Sequence, residues 1–241
     1  LTLSVLARAG DPTYRRMPDG SVWRTSRMPA GPVSYRISQQ DAEITAAAWG
    51  PGAEELITSL PEMLGGRDDP SSFAPVHTQQ QQAVRRRKGL RVPATSRVME
   101  ALVPAVLEQK VIGLDAAAAW RRLLRRFGEP APGPAPEGMR VVPPAKVWAE
   151  ISSWDWHLAG VEEKRAKTVR TAATYAARLE AAAVAHPDDP GVLYRMLESL
   201  PGIGPWTAAQ VGHRALGDAD ALPIGDYHLA SITGWSLNDR Q

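Results

Sequence analysis

Asp226 follows Leu222-Pro223-Ile224-Gly225 and precedes an apolar run, residues 227–237, which puts a carboxylate at the start of a helix. The dipole of that helix favours the ionised form. An ionised carboxylate can stabilise a growing positive charge or position an attacking water. Aspartate is also a favoured N-cap, and the two roles are compatible. Twenty-two residues before Asp226 stands Gly204, in the run Leu200-Pro201-Gly202-Ile203-Gly204-Pro205-Trp206-Thr207-Ala208. Two glycines flanking one apolar residue let the backbone approach another molecule closely while Ile203 plugs the gap between helices.

Two helices must carry this hairpin. Residues 190–200 place Leu193, Met196, Leu197 and Leu200 on one face, with Asp189 as N-cap and Pro190 in the first turn. Residues 206–216 form the second helix, which Gly217 ends. Amides left free at the start of the second helix suit an anion such as a DNA phosphate.

Composition narrows the classes. A chain of 241 residues allows one large or two small domains. The formal net charge is only +2, while a pI of about 9.0 is compatible with nucleic acid. There is no cysteine, which excludes disulfides, thiolate catalysis and cysteine-held iron–sulfur clusters. No apolar run approaches the roughly 18 residues of a membrane helix, so a soluble cytoplasmic protein is expected.

Along the chain, alternation of Leu1, Leu3, Val5 and Ala7 predicts a strand. Further strands are expected at 21–28, 33–37 and 43–49, then a helix at 53–64 with Leu56, Ile57, Leu60 and Leu64 inward. Residues 65–96 read as linker; the basic run Arg85-Arg86-Arg87-Lys88 within it either meets phosphate or lies in solvent. A helix over 96–112 contains Pro104, which should kink or delay it. Asp115 should cap a helix over 116–127, with Trp120, Leu123, Leu124 and Phe127 inward and four arginines opposite. Residues 129–144 hold six prolines and read as loop. A short helix at 145–151 precedes one long helix at 161–184. The fold class is α+β: an N-terminal antiparallel sheet with a helix over residues 1–75, then a larger all-α domain over 76–241.

The hairpin run with an aspartate near the next helix resembles the helix-hairpin-helix DNA glycosylases, and within them the 3-methyladenine DNA glycosylase II, or alkyl-base, type. The resemblance implies that the hairpin, with Gly202, Ile203, Gly204, Trp206 and Thr207, grips duplex DNA at its phosphates. It implies a monovalent cation, sodium or potassium, at the backbone of residues 200–204, and no other cofactor or catalytic metal. It makes Asp226 the catalytic residue that drives excision of a flipped-out damaged base. Breaking the C–N bond builds positive charge on the sugar, which a carboxylate stabilises.

Family members that also cut the strand carry a lysine where this chain has Trp206. The resemblance therefore implies a monofunctional enzyme of base excision repair that leaves an abasic site. Trp206, Tyr227 and Gln210 are expected at the base pocket, where electron-rich rings suit alkylated, positively charged purines; Trp206 also reads as a plain core residue. Gln109 and Lys110 fall where the family has a glutamine and a wedge that fills the DNA stack. Lys110 is either that wedge or an ordinary surface lysine. Lys164 and Arg165 match basic residues near DNA. Further C-terminal helices are expected beyond residue 241, and a monomer is expected. Two alternatives stand beside the alkyl-purine reading: a non-catalytic DNA-binding protein that keeps the clamp, and a glycosylase for deaminated bases.

Overall fold

A computed structural model describes residues 2–41, 43–226 and 229 of the chain. Strands β1 (Tyr14–Arg16), β2 (Val22–Met28), β3 (Gly31–Gln40) and β4 (Glu43–Trp49) form an antiparallel meander in that order. Its central registers pair Arg24 with Tyr35 and Ile37 with Ala46. The alternation of Leu1 to Ala7 does not make a strand: Thr2–Leu6 is a 3₁₀ helix that buries Leu3 and Leu6. A 3₁₀ helix eclipses positions i and i+3, so two leucines at that spacing satisfy one face without a sheet partner. Helix α1 (Ala53–Met63) covers the sheet with Leu56 and Met63 buried, whereas Ile57, expected inward, is exposed. A small core of Met28, Val33, Tyr35 and Ile37 closes beneath it.

The expected linker contains an exposed helix, α2 (Thr78–Arg86), ending in the basic run. Helix α3 (Val98–Leu107) is shorter than expected and runs unbroken across Pro104. Every residue of it except Glu100 is buried, and a helix apolar all round belongs at the centre of a core. Around α3 stand α4 (Gly113–Phe127), α5 (Ala145–Glu150), α6 (Ser153–Ala159), α7 (Glu163–Thr174), α8 (Ala176–Ala185), α9 (Pro190–Glu198) and α10 (Pro205–Val211). The helix starts at Gly113, so Asp115 lies inside its first turn and does not cap it. Two short strands, β5 (Glu129–Pro130) and β6 (Arg140–Val141), pair within the proline-rich segment. Trp120, Trp148 and Trp156 stack in sequence, 6.0 Å between successive ring centroids.

Buried polar groups join sheet to helices. Glu100 of α3 accepts from the Arg27 amide at 2.7 Å and the Ser26 hydroxyl at 3.0 Å, and pairs with the Arg24 guanidinium at 3.4 Å. Asp11 accepts from Trp120 Nε1 at 2.9 Å and from the Thr13 amide at 2.8 Å. The arginine face of α4 also has structural work: Arg121 donates to the Ala9 carbonyl, Arg122 to the Ala159 carbonyl, and Arg126 pairs with Asp155.

The long helix expected over 161–184 is broken at Tyr175, whose amide bonds back to Ala172 in a tight turn. The break redirects α8 so that Glu180 reaches the start of α3. Its carboxylate accepts from the amides of Val98 at 2.9 Å and Met99 at 3.0 Å. Helix α3 has no side-chain cap of its own, so Glu180 supplies one from another helix. Burial pushes the Glu180 carboxyl above its ordinary range, opposed by the nearby Arg97 guanidinium and the two amides. Glu180→Ala leaves two buried donors unpaired and should cost about 1–3 kcal/mol, read as a lower denaturant midpoint.

Candidate active site

The hairpin is held from three sides. Helix α9 delivers Leu200, and Ile203 is buried as the expected plug. Gly202 has φ +89°, a left-handed conformation that favours glycine. Thr168 of α7 donates through its hydroxyl to the Pro201 carbonyl at 3.2 Å. From the end of α3, Gln109 Nε2 donates to the Gly202 carbonyl at 2.9 Å and to Thr207 Oγ1 at 2.8 Å. The first helical bond of α10 runs from the Ala208 amide to Gly204, so the amides of Trp206 and Thr207 precede the ladder.

These contacts sort the expected DNA-binding residues. The side chains of Ile203 and Thr207 are buried and that of Gln109 is tied to the hairpin, so these three side chains serve the hairpin's own structure, while Pro201, Gly202 and Pro205 are exposed. Arg165, expected to face DNA, is turned inward: it is 8% exposed, and its Nη1 donates to the Leu107 carbonyl at 3.0 Å. It fixes the end of α3, two residues before Gln109. Lys164 is exposed and lies one helical turn from Thr168, hence beside the hairpin. Lys110 is exposed, with φ +55°, in the loop that Gln109 ties to the hairpin.

Helix α10 continues as a π-helical turn, Gly212–Leu216, ended by Gly217 in the left-handed conformation. Trp206 and Gln210 are one turn apart on α10, and Arg214 continues the line into the π turn. Trp206 Nε1 donates to Asp226 Oδ2 at 2.9 Å. The Asp226 carbonyl accepts from the Leu229 amide at 3.2 Å, and Leu229 is helical, so the carboxylate stands at a helix start as expected. Tyr227 and nearly all of the helix expected over 227–237 lie outside the described residues.

Sequence reasoning missed Arg214. Its Nη1 donates to the Gln210 carbonyl at 3.0 Å and to Gln210 Oε1 at 2.5 Å. Arg8, from the segment before β1, donates through Nε to Glu108 Oε1 at 3.3 Å. Burial, with the like charge of Arg8, lowers the Arg214 guanidinium to about 10, and Glu108 partly opposes this. The spacing 206, 210, 214 was the available signal.

No family model matches the chain. Over 230 residues it is 27% identical to a Mycobacterium tuberculosis protein named probable bifunctional transcriptional activator/DNA repair enzyme AlkA. The alignment covers 93% of this chain and 46% of the relative, so the chain spans about half the length of the curated relatives it matches. Among solved structures, 3-methyladenine DNA-glycosylase from Archaeoglobus fulgidus superposes with a TM-score of 0.72 at 18% identity, covering 92% of this chain and 78% of that one. The Clostridium acetobutylicum 8-oxoguanine glycosylase/lyase, bound to duplex DNA, gives 0.69 at 12% identity, covering 91% and 74%.

The chain has the fold of these DNA glycosylases. That fold accounts for the N-terminal antiparallel sheet followed by helices. Among the described residues, no helix is long and apolar enough to cross a membrane, and no group of three or more His, Cys, Asp or Glu side chains is placed to hold a metal.

Proposed function

We propose that the protein is a monofunctional DNA glycosylase that excises alkylated purines from duplex DNA in base excision repair. The observation that carries the reading is the 2.9 Å hydrogen bond from Trp206 Nε1 to Asp226 Oδ2. It brings the first turn after the hairpin against the one carboxylate at the next helix start. A duplex held at its phosphates by the hairpin backbone and Lys164 presents a flipped nucleotide to that carboxylate.

The chemistry follows from charge. The bond from C1′ to the base nitrogen lengthens, the base leaves with the electron pair, and positive charge builds on the sugar. Asp226 stabilises that charge and orients a water that adds to C1′; the water's proton is released and an abasic site remains. The indole donor holds the Asp226 oxygen in place. Trp206 has no amine to attack the sugar, so no Schiff base forms. The names of the M. tuberculosis and A. fulgidus proteins point to repair and to 3-methyladenine respectively, which supports the alkyl-purine assignment.

The carbonyls of Leu200, Pro201 and Gly202 each accept one protein hydrogen bond and keep a second lone pair. That donor set fits a sodium or potassium ion, which would supply positive charge beside a DNA phosphate.

The test is release of 3-methyladenine from a duplex, with products resolved before and after alkali. Base release, with strand breakage only after alkali, is the expected result. Strand breakage without alkali sinks the monofunctional assignment; DNA binding without release of any base favours a clamp without turnover. Trp206→Phe keeps a ring and removes the donor to Asp226. It should slow release about 10-fold, the effect of one hydrogen bond to a charged group, while leaving affinity for undamaged duplex unchanged by filter binding.

A further inference from the structure

Helix α1 leaves part of the sheet uncovered. Arg16, Val22 and Ile37 stand in one row across β1, β2 and β3, and Gln39 pairs with Ile44 two residues along. Against these residues lies a cavity of about 550 Å³. Its other walls are the 3₁₀ helix Thr2–Leu6, Leu64 at the end of α1, and residues 88–91 after α2. None of Gln109, Trp206, Arg214 or Asp226 lines it.

The floor of the cavity continues the small core. Leu3 and Ile37 belong to that core, and Val22 and Leu64 pack against it. Ile44 stands beside them, 49% exposed. An apolar body laid on this floor would remove its side chains from water, which is favourable.

The rim has the opposite character. Arg16, Lys88 and Arg91 line the same cavity, and no Asp or Glu does. None of the three has an ion pair among the described residues. The Asp69 carboxyl is held below its ordinary range by the amide and hydroxyl of Ser71 and, more weakly, by the Arg91 charge, but Asp69 is not part of the lining. Arg91 is fixed in position: its amide donates to Thr2 Oγ1 at 3.3 Å, and the next amide, of Val92, to Asp68 Oδ2 at 2.7 Å. Its Nη1 donates to the Leu90 carbonyl, which leaves most of the guanidinium's five donors for another acceptor. The Tyr14 hydroxyl, on the same wall, has no hydrogen-bond partner among the described residues. Residues 70–99 contain no Asp or Glu, and Arg85, Arg86 and Arg87 directly precede Lys88. The approach along this segment is therefore positive as well.

We propose that this cavity binds an amphipathic anion, an apolar body carrying a single carboxylate or phosphate head. The body rests on Val22, Ile37, Ile44 and Leu64. The head meets Arg16, Lys88 and Arg91. An apolar floor with a few convergent polar groups, in a cavity of this size, is the usual make-up of a small-molecule site. Both parts of the ligand are needed. Exposed cations alone hold an anion weakly, and the floor alone does not distinguish a charged ligand from a neutral one.

The experiment is calorimetric titration of the native chain with decanoate and with decyl phosphate, each below its micellar range, and with decanol and inorganic phosphate. The two amphipathic anions should bind one to one, and decanol and inorganic phosphate at least about 10-fold more weakly, the effect of one charge-assisted hydrogen bond. Arg16→Gln with Lys88→Gln should weaken decanoate by about 10-fold or more. Ile44→Glu should remove binding, because it sets a carboxylate against the head group. All three side chains are exposed, so melting temperatures should stay near native. Arg85→Gln, outside the lining, should bind decanoate like the native chain. Decanol or inorganic phosphate binding as tightly as decanoate overturns the proposal, as does decanoate binding unchanged in the Arg16 and Lys88 double variant.

Sedimentation with phosphatidylglycerol vesicles separates the two sources of such a head. Protein that stays in the supernatant while binding decanoate takes a free ligand. Protein that sediments and is released by decanoate takes a lipid at a membrane surface. Sedimentation that decanoate does not reverse, with no calorimetric signal for decanoate, overturns the cavity as the site.

Discussion

Asp226→Asn should abolish base release while DNA binding survives. The substitution is nearly isosteric, and the asparagine oxygen can still accept from Trp206 Nε1, as the carboxylate does at 2.9 Å. What it removes is the negative charge that faces the sugar as the C–N bond breaks. A positioned acid–base or electrostatic group contributes about 10²–10⁴-fold, and single-turnover release should fall by that much. Affinity for duplex should hold or rise, because a negative charge beside the phosphate backbone is gone. Release within tenfold of native would mean that the charge lies elsewhere, and the glycosylase mechanism written above would fail with it.

The second large effect is expected at Gly202. A Cβ there would stand 2.1 Å from Thr168 Oγ1, and φ is +89°. Both oppose any side chain, and strain of this kind costs about 1–3 kcal/mol. The hydroxyl it displaces is the one that bonds the Pro201 carbonyl, and the Gly202 carbonyl is held by Gln109. Gly202→Ala should therefore lower the melting temperature and weaken duplex binding together.

Gly204→Ala is the useful contrast. Its φ is −120°, and a Cβ would meet nothing within 4 Å. That variant should melt like the native protein. If the open space is where a phosphate approaches, it should still lose duplex affinity. Native affinity in Gly204→Ala would remove the hairpin from the DNA interface.

The hairpin was legible in the sequence because its signals are local. Proline, glycine and one plugging isoleucine leave few ways to fold nine residues. Asp226 was legible for the same reason, as a polar residue at an apolar boundary. The misreadings share a cause: their outcome depends on a distant partner. Leu3 and Leu6 suit a strand or a 3₁₀ turn equally, and the absence of a neighbouring strand decides. The alanine-rich stretch from 161 to 184 carries no breaker, yet the chain turns at Tyr175 because Glu180 must reach α3.

Charged residues were hardest to read. Arg165 and Arg214 look like solvated positions on helices until tertiary packing turns one onto the Leu107 carbonyl and the other onto Gln210. Long charged side chains bury their stems readily, so helix periodicity alone does not separate a surface arginine from a buried one.

Gln109 makes the hairpin and the loop carrying Lys110 a single piece, because one amide nitrogen bonds both Gly202 and Thr207. Under the proposed function, with Lys110 as the wedge, the point of backbone grip and the point of stack entry are thereby separated by a fixed offset, like the two jaws of a caliper. A nucleotide would then be tested only at the step that this offset selects, counted from the phosphate in hand. Under the proposed function, inspection would advance along the duplex one register at a time. Inserting residues between Gln109 and Lys110 would change which nucleotide is sampled without changing how the duplex is held.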